Sequence, residues 1–140
     1  MLAKTLVAKA EKAMMGAYAP YSGFFVGAAL LTKSGKVYTG CNIENAAYSP
    51  TCCAERTAFF KAVSEGEREF EAIAVVGGDH GRITGIFPPC GVCRQVMLEF
   101  CGPGFRIYLG EGNGKFRTVT LPELVPYAFT AGESMQKTET

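Results

Sequence analysis

Cys53-Ala54-Glu55 and Pro88-Pro89-Cys90-Gly91-Val92-Cys93 are the two stretches on which the reading of this chain turns. Each puts cysteine where a helix begins after a strand or loop. Helix N-termini carry partial positive charge and unpaired N–H groups, and both features favour the thiolate, the metal-binding form of cysteine. Cys90 and Cys93 fall on one face of a first helical turn and can grip one ion. Cys53 comes from a separate helix start, which ties the site to the tertiary fold. Three thiolates leave a fourth position open, the pattern of a catalytic zinc site rather than a closed structural one. Glu55 points around the helix towards that open side, where a carboxylate can take and return protons.

Three thiolates around a divalent cation leave one net negative charge, which weakens the metal's pull on its ligands' protons. Arg56 is the obvious compensator, close enough in sequence to reach a ligand sulfur. Gln95 is placed for similar support from the other helix. Arg94 is nearer to Cys93 but can equally be solvated. Two other readings of these cysteines compete. A redox pair at Cys90 and Cys93 needs neither Cys53 nor Glu55. A closed four-ligand site needs Cys41, Cys52, Cys101 or His80 as well. Cys101 lies roughly 12 Å along the helix from Cys93, and Cys52 points away from its neighbour Cys53. Cys41 would have to fold back, and His80, the single histidine, sits in a glycine-rich turn.

Outward from the site, the pattern alternates helix and strand. Residues 1–15 read as an amphipathic helix, with Leu2, Leu6, Ala10 and Ala13 on one face. Phe24 to Thr32 and Lys36 to Cys41 form a hairpin around Ser34-Gly35. A polar loop, Asn42 to Tyr48, follows, and Ser49-Pro50-Thr51 opens a helix through Ser64. Phe70 to Gly77 is a buried strand, Gly78 to Gly81 a turn, and Pro88-Pro89 sets up a helix start that Gly91 to Phe100 continues. Phe105 to Leu109 and Phe116 to Thr120 are strands, and Leu121 to Val125 a short helix. This order describes one α/β layered domain over residues 1–130, with a polar tail over 131–140.

Composition narrows the class. The chain has 140 residues, 48% hydrophobic, with a formal net charge of +1. That is enough for one core, and it offers no basic surface for a polyanion. Lys9, Glu11 and Lys12 interrupt the N-terminal helix, so it reads as neither signal peptide nor membrane span. Six cysteines without a secretory signal suit a reducing compartment. The expectation is a soluble, cytoplasmic protein with no membrane or stable nucleic-acid partner.

Cys53-Ala54-Glu55-Arg56 and Pro89-Cys90-Gly91-Val92-Cys93-Arg94-Gln95 together resemble the cytidine deaminases of the small form with three cysteine ligands. Ala19-Pro20-Tyr21-Ser22, Val26-Gly27-Ala28-Ala29-Leu30 and Gly40-Cys41-Asn42-Ile43-Glu44-Asn45-Ala46 are similar to the nucleoside-specific members. The chain departs from the pattern mainly over Gly78 to Phe87. The resemblance implies a three-layer α/β/α fold around a five-stranded mixed sheet. It implies one zinc ion per subunit, held by Cys53, Cys90 and Cys93, with Glu55 catalytic. Phe24 would stack on the pyrimidine, Asn42 and Glu44 would bind sugar hydroxyls, and Ala54 would line the base site. It also implies a homotetramer in which neighbouring subunits close each site, with Tyr48 and Phe129 at positions tied to that closure. The implied activity is hydrolysis of cytidine and deoxycytidine to uridine and deoxyuridine plus ammonia, a step of pyrimidine salvage. Two alternatives are a deaminase of another cytosine-bearing small molecule, such as a nucleoside antibiotic, and an inactive zinc-stabilised binding module.

Overall fold

A computed structural model describes residues 1–134. The elements run α1 (Ala3–Met14), β1 (Phe25–Thr32), β2 (Val37–Cys41), α2 (Ala54–Ser64), β3 (Phe70–Asp79) and β4 (Arg82–Gly85). They continue with α3 (Gly91–Phe100), β5 (Arg106–Gly112), β6 (Lys115–Thr120), α4 (Leu121–Leu124) and the single turn α5 (Ala131–Ser134). The expected polar tail thus begins with a helical turn, and its remainder, 135–140, lies outside the described residues.

One mixed sheet carries the fold, in the order β2-β1-β3-β5-β6. Neighbours are antiparallel except β3 and β5, which run parallel and need the crossover that α3 provides. The sheet has six strands rather than five. The additional strand, β4, pairs with the last residues of β3, Gly78 against Ile83 and Asp79 against Arg82. β3 therefore continues past Gly77, and the sharp reversal is confined to His80 and Gly81, both at positive φ.

Side chains alternate across the central strands and split the core into two layers. Leu6, Val7, Ala10 and Met14 of α1 pack on Ala29, Leu31, Ala74 and Val76. On the other face, Ala54, Ala58, Phe59 and Ala62 of α2 and Met97 of α3 pack on Ala28, Leu30, Ile73 and Val75. This is the expected three-layer α/β/α arrangement. Phe59 centres the second layer, 5.2 Å from the Phe70 ring and 6.1 Å from Phe105.

Two glycines let helices approach the sheet more closely than any side chain would allow. A Cβ at Gly27 would stand 2.1 Å from the Ala10 carbonyl oxygen, and one at Gly40 would stand 2.5 Å from that of Ala54. The Gly40 contact matters for the site, because it seats the first turn of α2 directly on β2.

The start of α2 differs from the expectation. Ser49-Pro50-Thr51 does not open the helix, which begins at Ala54 with Cys53 as its N-cap. The intervening backbone is spent otherwise. Thr51 N–H donates to the Tyr48 carbonyl (2.8 Å), and Cys52 pairs with Ile43 in an antiparallel bridge. That bridge holds Cys53 extended, at φ −71° and ψ 157°. α3 begins at Gly91 with Cys90 as its N-cap, just past the Pro88-Pro89 start read from the sequence.

Candidate metal centre and active site

Cys53 and Cys90 occupy equivalent places. Each is the N-cap of its helix, extended in backbone, and neither side chain caps a helical N–H. Their carbonyls accept the first helical hydrogen bonds, from Thr57 (3.0 Å) and Arg94 (2.9 Å). Both thiols are therefore left at the positive ends of two helices without a capping duty. Cys93 adds a third sulfur from the first turn of α3 and is buried.

The three Sγ atoms lie within 4.8 Å of one another, and Cys53 and Cys90 are 3.6 Å apart. Sulfurs sharing a tetrahedral zinc ion stand roughly 3.8 Å apart, from Zn–S bonds of about 2.3 Å. Spacing and donor chemistry both fit such an ion. Among the described residues this is the one group of three or more metal-ligating side chains. The other cysteines have different settings. Cys52 accepts from the Thr57 hydroxyl (3.6 Å). Cys101 packs against the core, and burial pushes its thiol up to about 12. Cys41 lies beside Gly16, and burial raises its pKa also. His80 leans on the Phe25 ring, 5.1 Å away, and on Asp79. None of them supplies a fourth ligand.

Within the cluster, the hydrogen bond from Cys93 pulls the Cys53 thiol down to about 5 against burial, with help from Arg56. Cys93 is raised because it keeps the shared proton. Arg56 Nη2 donates to Cys53 Sγ at 3.3 Å. Burial works against the Arg56 charge, but its bonds to Cys53 and Cys93 more than offset that and hold its pKa up. Gln95 turns elsewhere, its amide donating to the Phe129 carbonyl at 3.0 Å. Arg94 is not simply solvated. It donates from Nε to the Pro89 carbonyl (2.7 Å) and from Nη1 to the Leu124 carbonyl (2.8 Å), clamping the Pro88–Cys93 stretch to α4.

Glu55 is 4% exposed. Burial is the main reason its carboxyl is pushed up to about 7, with the Cys53 charge adding to the shift. A carboxyl poised near neutrality can both accept and donate a proton. It opens on a cavity of about 250 Å³ lined also by Phe24, Asn42, Glu44, Ala54, Cys53 and Cys90.

The opposite wall of the cavity is pinned by backbone contacts. Asn42 Oδ1 accepts from Val26 N–H (2.8 Å) while its Nδ2 donates to the Phe24 carbonyl (2.8 Å). Glu44 accepts from the N–H groups of Tyr21 (2.9 Å) and Ser22 (3.0 Å) and from the Ser22 hydroxyl. Phe24 meets Phe87 edge to face, with ring centroids 5.7 Å apart. Phe87 itself lines the cavity and lies over Gly77, where a Cβ would come within 2.3 Å of its ring.

Tyr48 and Phe129 do not line this cavity. Tyr48, at φ 62°, borders an adjoining hollow of about 310 Å³ with Tyr21, Ser22, Glu44 and Thr51. Phe129 is 60% exposed and Tyr48 72%. Sequence reasoning passed over Ser22, Thr51 and Phe87. Phe87 sits in the stretch that departs from the family pattern, and its cue was Gly77, a glycine inside an apolar strand.

Residues 2–108 match the family model for the cytidine and deoxycytidylate deaminase zinc-binding region. A cytidine deaminase of Sporosarcina psychrophila is 53% identical over 125 residues, 89% of each chain. One of Halalkalibacterium halodurans is 54% identical over 126 residues, 90% of this chain and 92% of the relative. The crystal structure of a cytidine deaminase from Burkholderia pseudomallei superposes with a TM-score of 0.84 at 49% identity, covering 92% of this chain and all of that one. Fold, thiol cluster and sequence thus agree, and the chain belongs to the cytidine and deoxycytidylate deaminase family, whose members are zinc-dependent hydrolytic deaminases.

Proposed function

We propose that this protein deaminates cytidine and deoxycytidine to uridine and deoxyuridine, releasing ammonia. The observation that carries the reading is the buried Glu55 carboxyl, raised towards neutrality and facing the cavity beside three clustered thiols. Cys53, Cys90 and Cys93 would hold zinc, which supplies the Lewis acidity needed to activate water near neutral pH. Glu55 takes the proton of the attacking water and passes it to N3 of the cytosine, which makes C4 electrophilic. Hydroxide adds at C4, and Glu55 takes the remaining proton of that C4 hydroxyl and delivers it to the amino nitrogen. The C4–N bond breaks as the C4 carbonyl forms, releasing ammonia. Phe24 offers the base an aromatic face. Asn42 and Glu44 face the same cavity with polar groups suited to sugar hydroxyls. Ala54, small and at the first turn of α2, leaves room for the base edge.

Tyr48, Phe129 and Tyr127, the last two beyond α4, are large side chains exposed in the single chain. They support a homotetramer in which neighbouring copies cover the site mouths. Among the described residues, no helix is long and apolar enough to cross a membrane. A cytoplasmic location would keep the cluster thiols reduced.

Ammonia release from cytidine, for the parent and Glu55→Ala with zinc measured in both, tests the reading. Turnover in the parent alone, with zinc in both, supports it. A zinc-loaded, folded parent that leaves cytidine untouched refutes it and directs the assay to other cytosine-bearing compounds.

A further inference from the structure

Ser22 ties together two residues of the cavity lining, Phe24, two positions on, and Glu44, 22 positions on. Its hydroxyl donates to Glu44 Oε2 and accepts from the Phe24 N–H at 3.0 Å. Its own N–H donates to Glu44 Oε1 at 3.0 Å, beside that of Tyr21 at 2.9 Å. One small side chain therefore fixes Glu44 and orders the backbone that carries the Phe24 ring.

The count of acceptor sites gives this contact its meaning. An ionised carboxylate offers about four lone-pair directions. The two N–H groups and the Ser22 hydroxyl occupy three of those on Glu44. These bonds also keep Glu44 ionised, the Ser22 hydroxyl being the largest contributor. An ionised, immobilised carboxylate with one remaining direction can accept a single hydroxyl from a ligand in the cavity it lines. Without the Ser22 hydroxyl, Oε2 gains a free direction and the side chain loses the bond that fixes its rotation. Ser22 is exposed, so removing its hydroxyl opens no void in the core.

We propose that Ser22 is a positioning residue for sugar recognition, orienting the Glu44 carboxylate to accept one ring hydroxyl of the nucleoside and aligning Phe24 with it. The inference rests on the nucleoside reading above and deepens it. Lost orientation weakens ground state and transition state alike, so it enters KM rather than kcat.

The test compares parent, Ser22→Ala and Ser22→Thr on cytidine and on 2′,3′-dideoxycytidine, which lacks both ring hydroxyls. In Ser22→Ala the preference for cytidine over the dideoxy compound, as the ratio of kcat/KM values, falls on the order of tenfold. The loss lies in KM for cytidine, and Ser22→Thr, which keeps the hydroxyl, restores most of the preference. An unchanged ratio, with or without an equal loss on both nucleosides, would overturn the proposal. So would a loss carried by kcat, or a threonine variant as impaired as alanine. A parent that turns over neither nucleoside is a separate result, which sinks the deaminase reading and the proposal with it.

Discussion

Arg56 presses its guanidinium against the sulfur of Cys53, Nη2 to Sγ 3.3 Å, while its own Nε is buried without a hydrogen-bond partner. An orphaned buried donor costs about 1–3 kcal/mol. The arrangement makes sense where a cation is needed beside excess negative charge. Arg56→Gln keeps a donor near the sulfur and removes the charge. The expected result is a folded protein whose zinc affinity or turnover drops roughly 10–100-fold. Zinc titration alongside steady-state kinetics checks it, and parent-like values in both would assign Arg56 to packing alone.

Glu55 gives the sharpest separation of chemistry from structure. Glu55→Gln keeps the volume and removes the carboxyl that burial holds near neutrality. Turnover should fall by at least roughly 10²-fold, the scale of a lost general acid–base group. The thiol cluster is untouched, so zinc content should match the parent. The midpoint of thermal unfolding at pH 8 should not drop, because a buried group that resists ionisation has been replaced by a neutral one. Retained turnover would move the proton transfers to another residue.

Much of this was legible in the chain because local rules and the global fold agree. The spacing of Leu6, Ala10 and the following turn marks α1, and the Pro88-Pro89 punctuation marks the approach to α3. α2 was read too early because a serine, a proline and a threonine normally announce a helix, while the Ile43–Cys52 bridge that delays it depends on tertiary pairing. β4 went unassigned in the sequence because four residues with alternating burial carry too little pattern to outweigh their glycines. Gln95 was placed by its proximity to Cys93, but helix geometry sends its amide to Phe129. The contact between Ser22 and Glu44 spans 22 residues and two loops, and no periodicity encodes it.

Gly40 offers a test of how the sheet seats the site. Besides the Ala54 oxygen, a Cβ there would meet the Ala58 nitrogen at 2.7 Å, and both are helix backbone that cannot rotate away. Gly40→Ala should cost about 1–3 kcal/mol by overpacking. It should also reduce activity beyond what stability explains, since α2 carries Cys53 and Glu55 at its displaced end. Gly102→Ala is the control, having no heavy atom within 4 Å of the added carbon. Urea unfolding and kcat on the two variants decide it, and equal behaviour would show that α2 absorbs the methyl group by sliding.

Cys90 and Cys101 bracket α3 and should respond in opposite ways. Cys90 contributes its sulfur to the cluster, and Cys101 buries its own against the core. Cys90→Ala removes one of three thiolates from a site whose zinc analogues in small domains bind with apparent energies of about 10–16 kcal/mol, coupled to folding. The protein should emerge metal-poor, inactive and markedly less stable. Cys101→Ala removes one partly buried sulfur, should cost on the order of 1 kcal/mol, and should keep parent-like zinc and turnover. Metal analysis of the two purified variants, with their unfolding midpoints, reads out both. Zinc-replete Cys90→Ala would break the ligand assignment, and zinc-poor Cys101→Ala would show that the far end of α3 controls the metal.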